Sequence, residues 1–198
     1  SALQLKTPLG EANVELPVAG QHNVRNALAA TAAAIAMSAS LQAIVAGLES
    51  FSAVKGRLQR KRGINGALVI DDTYNANPAS VRAAIDVLTA HPGDKLLVLG
   101  DMGELGGDAA EMHAEIGAYA KKSGVQALYV LGDLTQEMVK TFGSGAHHFE
   151  TPAALAQVLE KGMHAGCTVL VKGSRFMRME RVVELITENN PEGESDAA

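Results

Sequence analysis

From residue 63 onward, five short apolar runs alternate with five stretches of helical periodicity, and that alternation leaves few folds open. The runs lie at 67–70, 95–99, 127–131, 147–149 and 168–171, and the helical stretches at 79–90, 109–122, 134–141, 153–164 and 177–189. Nearly continuous apolar strands predict a sheet covered on both faces. Short links between alternating strands and helices predict parallel strands joined by right-handed crossovers, hence a three-layer α/β domain.

Residues 1–62 follow a different pattern. Two short strands, 3–6 and 13–16, flank Pro8-Leu-Gly10, and an alanine-rich helix over 23–37 puts Leu28 and Ile35 on a shared side. Ser40 is placed to cap a second helix that runs to about residue 48. Two strands with so little around them bury no core alone, so this region reads as the end of a larger domain. The segment 190–198 is acidic and rich in small residues and reads as a frayed tail.

Composition narrows the chemistry. Apolar residues make up 47% of the chain, aromatics only 4%, and tryptophan is absent, so the core must come from Ala, Val, Leu and Ile. A net charge of -5, with basic residues concentrated only at 55–62, argues against sequence-independent nucleic-acid binding. The single cysteine, Cys167, excludes an internal disulfide and a cysteine zinc cluster, and its place before an apolar run reads as a buried small hydrophobe. The alanine-rich stretch 27–39 is too short to span a bilayer, and no signal peptide is visible. No stable membrane insertion and a cytoplasmic location are expected.

The chemistry gathers at strand ends. Asp71-Asp-Thr-Tyr-Asn-Ala-Asn-Pro78 closes the first run, at the edge where open α/β sheets hold ligands. Successive side chains point to opposite faces, so one of Asp71 and Asp72 can receive backbone N–H groups while the other faces a hydroxyl or a cation. Simple turn capping by both is the competing reading. Asn75 and Asn77 can orient a phosphate or an amide, Pro78 can open the next helix, and Tyr74 offers a flat face. Residues 100–108 carry three acids and four glycines, and Asp101, Glu104 and His113 are a weak candidate metal set with no compact spacing. Lys172-Gly-Ser-Arg175 ends the last run as a candidate anion pocket, with Ser174 as its hydroxyl. Asn23 and Asn26 sit three apart at a helix start, able to hold a base edge, with capping by Asn23 as the simpler reading. Arg57 has the rigid fork that grips phosphate, while Arg60-Lys-Arg62 reads as a solvated run. The Gly-x-x-x-x-Gly-Lys-Ser/Thr, Gly-x-Gly-x-x-Gly and Gly-x-Ser-x-Gly patterns are all missing.

Taken together, Gly20-Gln-His-Asn-Val-Arg-Asn-Ala-Leu-Ala-Ala30, Val54-Lys-Gly-Arg57, the 71–78 turn, Leu99-Gly-Asp-Met-Gly-Glu-Leu-Gly106 and Val171-Lys-Gly-Ser-Arg175 resemble the Mur ligases of bacterial cell-wall synthesis. The Tyr-Asn-Ala-Asn-Pro wording resembles the member that adds a dipeptide, whereas relatives that add single amino acids usually carry a histidine in that turn. The resemblance implies that residues 1–62 are the end of a central P-loop ATPase domain, 63–190 a Rossmann-like three-layer ligase domain, and 191–198 a tail. It implies an ATP-dependent ligase, with Mg2+ ligands mainly upstream, that joins D-alanyl-D-alanine to UDP-N-acetylmuramoyl-tripeptide through an acyl phosphate and is monomeric at full length. This stretch alone would be inactive. Carried over, Asn23 and Asn26 lie beside adenine and Arg57 beside the phosphates. Asp72 makes a ribose or hinge-side contact with Asp71 as its less certain partner, and Tyr74 and Asn77 approach the nucleotide on closure. Lys172, Ser174 and Arg175 receive the dipeptide or bridge to the acyl phosphate, Arg57 and Lys172 being the candidate catalytic contributors. A sister ligase using a single amino acid, or a stand-alone nucleotide- or partner-binding module, are the alternatives. The resemblance departs at Met37-Ser-Ala-Ser40, where relatives often have glycine, which puts the local turn geometry in question.

Overall fold

A computed structural model describes residues 1–18, 20–51 and 55–188, the His22 side chain excepted. The chain divides into two compact units, Ser1–Val54 and Lys55–Ala198. The division falls before residue 62 because the basic run belongs to the second unit's sheet.

In the first unit, β1 (Ala2–Thr7) and β2 (Gly10–Glu15) form an antiparallel hairpin, followed by α1 (Gln21–Ala36) and α2 (Leu41–Glu49). Its core is small: Leu5, Val14, Leu16, Ala27 and Ile44, with Ile35 packed beside them. That core does not reach Leu28, which stays 50% exposed, so the shared side expected for Leu28 and Ile35 is only half buried. Ser40 caps α2 as expected, its Oγ accepting from Ala43 N at 3.2 Å. Between the helices Ser38 takes φ 63°, the left-handed conformation that glycine adopts without a Cβ penalty. The turn thus places a non-glycine residue in that conformation, at the cost of some local strain.

In the second unit a six-stranded sheet has the order β3-β4-β8-β5-β6-β7. The strands are β3 (Gln59–Arg62), β4 (Leu68–Asp72), β5 (Asp94–Gly100), β6 (Ala127–Leu131), β7 (Ala146–Phe149) and β8 (Cys167–Lys172). Only β3 is antiparallel to its neighbour. The helices are α3 (Pro78–Thr89), α4 (Ala109–Lys122), α5 (Gln136–Phe142), α6 (Pro152–Glu160) and α7 (Glu180–Ile186). Arg60-Lys-Arg62 is thus an edge strand whose two arginines are solvated, as expected, while Lys61 is only partly so. Lys61 turns back onto Asp71, while Arg60 and Arg62 point outward.

Alternation along each strand builds the three layers. Leu96, Val98, Tyr129, Leu131, Val169 and Val171 pack with α6 and α7. Their neighbours Leu97, Leu99, Leu128, Val130 and Leu170 pack with α3, α4 and α5. Consequently the helix after β4 covers one face, the helix after β8 the other, and the helix after β5 the first again. The carboxyl ends of β4, β8 and β5 are therefore switch points, where crevices open in such sheets.

Two local features complete the frame. Asn77 caps α3 in a reciprocal box: its Oδ1 accepts from Ser80 N at 2.8 Å, and Ser80 Oγ accepts from Asn77 N at 3.0 Å. Replacing Asn77 with alanine is expected to lower stability by about 1 kcal/mol in a urea titration. The last helix is shorter than the expected 177–189. A 3-10 turn over Arg175–Met177 and a left-handed Arg178 (φ 52°) precede α7, and Thr187 then bridges to Gly63. The expected tail at 191–198 lies outside the described residues.

Cys167 is buried, and burial pushes its thiol pKa up despite the opposing hydrogen bond from His164 N. A raised pKa leaves less thiolate at neutral pH, and burial blocks access. Alkylation by iodoacetamide, followed by intact mass, is expected to leave the folded chain unmodified and to label it fully in denaturant.

Candidate functional site

The carboxyl ends of β4 and β8 are joined by a buried ion pair. Lys172 Nζ donates to Asp72 Oδ2 at 2.7 Å and to Asn75 O at 2.7 Å. Asp72 Oδ1 accepts from Leu58 N at 3.2 Å, so one carboxylate ties β8 to the segment that carries Arg57. Asp71, 1% exposed, accepts from Lys61 Nζ at 2.8 Å and from Thr73 Oγ1 at 2.7 Å. Alternation sends the two acids to opposite faces, and they bond to different strands, Asp71 to β3 and Asp72 to β8. Both are engaged by protein groups rather than turned to solvent.

Ser174 is a three-way junction. Its Oγ donates to Ala76 O at 3.1 Å and accepts from Gly103 N at 2.7 Å, while its backbone N donates to Asp101 O at 3.0 Å. It stitches together the ends of β4, β5 and β8. Glycine lets these loops approach closely: a Cβ on Gly173 would lie 2.6 Å from Met179 Cγ, and one on Gly103 would lie 2.9 Å from the Phe176 ring. Asp101 Oδ1 accepts from Thr135 N at 2.9 Å.

Above this lattice lie exposed groups of the kind that meet ligands. The Arg57 guanidinium sits over the Tyr74 ring, 4.4 Å from its centroid. Gly56 makes this approach possible, with φ 74° and Tyr74 N donating to its carbonyl at 2.9 Å; a Cβ there would stand 2.9 Å from Tyr74 N. Arg175 is exposed, its Nη1 donating to Glu180 Oε1 at 3.3 Å, and Phe176 beside it is 63% exposed.

The structure thus sorts the predicted residues. Asp71, Asp72, Lys172 and Ser174 are buried framework, whereas Arg57, Tyr74 and Arg175 are exposed. The anion pocket expected from Lys172 to Arg175 is narrowed, because the lysine ammonium is already spent on Asp72 and Asn75. Asn77 is committed to capping through its Oδ1. Asn23 and Asn26 lie on α1 in the first unit, half-buried and exposed. Asn23 is not the cap of that helix: Gly20 holds that position, and Asn23 is the third helical residue.

The weak metal set does not converge. His113 is fully buried, its Nδ1 donating to Ala109 O at 2.6 Å and its Nε2 accepting from Met102 N at 3.0 Å. Glu104 is exposed, and among the described residues no group of three metal-ligating side chains is found. Sequence reasoning missed Lys61 as the partner of Asp71 and Phe176 as an exposed aromatic in this edge. For Phe176 the available signal was a phenylalanine directly after Lys172-Gly-Ser-Arg175, while the all-polar run 59–62 offered none.

Comparison with known proteins bears on the fold and the family. The family model described as "Mur ligase, glutamate ligase domain" matches residues 56–175. The UDP-N-acetylmuramoyl-tripeptide–D-alanyl-D-alanine ligase of Escherichia coli K12 is 40% identical over 186 residues, covering 93% of this chain and 41% of that protein. The Bacillus subtilis protein of the same name is 32% identical, over 88% of this chain and 40% of its own. The chain spans about two-fifths of the length of these relatives. A crystal structure of MurF from Acinetobacter baumannii superposes with a TM-score of 0.84 at 38% identity, over 92% of this chain and 41% of that one. MurF ligase from Thermotoga maritima, solved in complex with ADP, gives 0.80 at 26% identity, over 93% and 42%.

Proposed function

The chain belongs to the Mur ligase family, and from that premise we propose that it supplies part of an ATP-dependent ligase joining D-alanyl-D-alanine to UDP-N-acetylmuramoyl-tripeptide. The observation that carries this reading is the 40% identity, across 93% of the chain, to an E. coli ligase with that name. We assign the first unit to the end of the central ATP-binding domain and the second to the carboxy-terminal ligase domain.

The reaction passes the γ-phosphoryl group of ATP to the peptide carboxylate; the free amine of the dipeptide then attacks the acyl phosphate, loses a proton and displaces phosphate. Charge on the transferring phosphoryl group calls for preorganised cations and donors. Arg57 fills that role here, its guanidinium exposed and oriented by the Tyr74 ring. Tyr74 thus presents only its other face and its hydroxyl to a nucleotide. Asn23 and Asn26 are assigned to the adenine edge. Of the two roles expected for Asp72, the hinge-side one fits its geometry, since it joins β8 to Leu58 close to the unit boundary. Asp71 supports it from β3 through Lys61. Arg175 is the cation available to a dipeptide carboxylate, with Ser174 and Lys172 holding its loop.

Magnesium, when bound, would screen the phosphate charges; the described residues hold no carboxylate cluster for it. Closure of the ligase domain would exclude water from the acyl phosphate, which otherwise hydrolyses. Among the described residues no helix is long and apolar enough to cross a membrane, and nucleotide substrates favour the cytoplasm.

The sequence carries no P-loop. The purified chain is therefore expected to release no phosphate from ATP, with or without the peptide and dipeptide. Release that depends on both acceptor substrates would overturn this assignment of the parts. To separate the dipeptide reading from a sister ligase, the chain can replace its counterpart in the E. coli relative. Calorimetric titration of that exchanged enzyme, with a non-hydrolysable ATP analogue and the UDP-tripeptide present, is expected to show tighter binding of D-alanyl-D-alanine than of D-alanine or D-glutamate. Preference for a single amino acid would contradict it.

A further inference from the structure

His113 is the one histidine with no exposed surface among the described side chains, and it stands in the middle of α4 between a helix and a loop. Burying a polar ring is costly unless its nitrogens are satisfied. Here both are. Ala109 O can only accept, so Nδ1 carries the proton; Met102 N can only donate, so Nε2 offers a lone pair. Those two partners hold the ring as a single tautomer.

The backbone that His113 grips leads straight to the exposed groups. Met102 is followed by Gly103, whose N–H donates to Ser174 Oγ at 2.7 Å, and preceded by Asp101, whose carbonyl accepts from Ser174 N at 3.0 Å. Arg175 and Phe176 come directly after Ser174, and a Cβ on Gly103 would meet the Phe176 ring at 2.9 Å. Asp101 lies 4.0 Å from Nε2, beyond hydrogen-bond reach, and is taken by Thr135 N instead. The imidazole thus fixes the height of the 101–103 loop, and that loop fixes the start of the 174–176 segment from two sides.

We propose that His113 is a positioning residue for Arg175 and Phe176, acting through the backbone of residues 101–103 and the Ser174 hydroxyl. That Arg175 faces the incoming dipeptide rests on the function proposed above; the positioning itself does not. A leucine at 113 fills much of the same buried space but offers Met102 N no acceptor. A glutamine restores an acceptor, its Oε1 reaching near the place of Nε2.

The test is made on the 198-residue chain by amide and imidazole nitrogen-15 spectra, with no ligand. The unsubstituted chain is expected to show His113 protonated at Nδ1 alone near neutral pH. His113→Leu is expected to shift the amides of Gly103, Arg175 and Phe176 while those of β6 and β7 stay in place, and His113→Gln is expected to return them toward their original positions. A ring protonated at Nε2, or a His113→Leu spectrum unchanged at 103, 175 and 176, would overturn the proposal. If His113→Leu does not fold, the tautomer and the His113→Gln spectrum decide it. Failure of the exchanged enzyme to bind D-alanyl-D-alanine would instead remove the functional reading and leave these spectra to stand.

Discussion

Replacing Lys172 with alanine is expected to destabilise the second unit by about 3–5 kcal/mol in urea titration, the range seen when one partner of a buried ion pair is removed. The expectation follows from what the ammonium holds. Lys172 is 4% exposed and satisfies both a carboxylate oxygen of Asp72 and the carbonyl of Asn75. Truncation takes the ammonium donor from both acceptors and opens a cavity between β4 and β8. The charge can be separated from the volume. Lys172→Met keeps most of the packing yet removes the ammonium from the Asp72 carboxylate, so it is expected to cost nearly as much. Adding Asp72→Asn to it is expected to recover part of the loss, a coupling that a double-mutant cycle measures. Strictly additive effects would show that the pair is not the source of the cost.

The second large effect is on turnover. In the E. coli relative with its counterpart replaced by this chain, Arg57→Ala is expected to lower kcat by about 100–1000-fold, the usual loss when one charge-stabilising donor is removed. Arg57 is exposed and braced by Tyr74 rather than by a carboxylate, so its charge is available to a phosphoryl group. Lysine at 57 keeps the charge but loses the planar fork and its stacking, so Arg57→Lys is expected to recover only part of the rate. Stability should change little in either variant, because the side chain is exposed. A loss of folding matching the loss of rate would contradict a role at the phosphates.

Much of the fold was legible because its signals are local and periodic. The run 127–131 and the helix 109–122 appear in the structure with the expected bounds. The apolar strands place alternate residues on opposite helix layers as a doubly covered sheet demands. β3 was hidden because Gln59-Arg-Lys-Arg62 carries no apolar face; its partner is a carboxylate on the next strand, and only tertiary pairing shows it. The last helix was overextended for a similar reason. The 175–179 segment has helical composition, but packing against Gly100 and Gly173 bends it through a 3-10 turn and a left-handed residue.

The candidate site was legible as an address more than as an arrangement. The strand ends and turns pointed to the carboxyl edge, where the topology does place its switch points. What sequence spacing could not reveal is which polar residues face each other. Asp72 and Lys172 are 100 positions apart and share a hydrogen bond. Two residues read as ligand contacts, Lys172 and Ser174, turn out to use their donors on protein carbonyls and a carboxylate. Arg57, by contrast, was read from residue type and stands exposed beside a second recognisable residue, Tyr74.

As proposed above, this chain carries the dipeptide-accepting part of a Mur ligase. The most direct test is phosphate release by the exchanged E. coli enzyme, supplied with ATP, Mg2+ and UDP-N-acetylmuramoyl-tripeptide, as the acceptor is varied. Release is expected to rise with D-alanyl-D-alanine in step with formation of the pentapeptide product, and to stay little above background with D-alanine or D-glutamate alone. Release driven equally well by a single amino acid, from an enzyme that is folded and binds ATP, would contradict it.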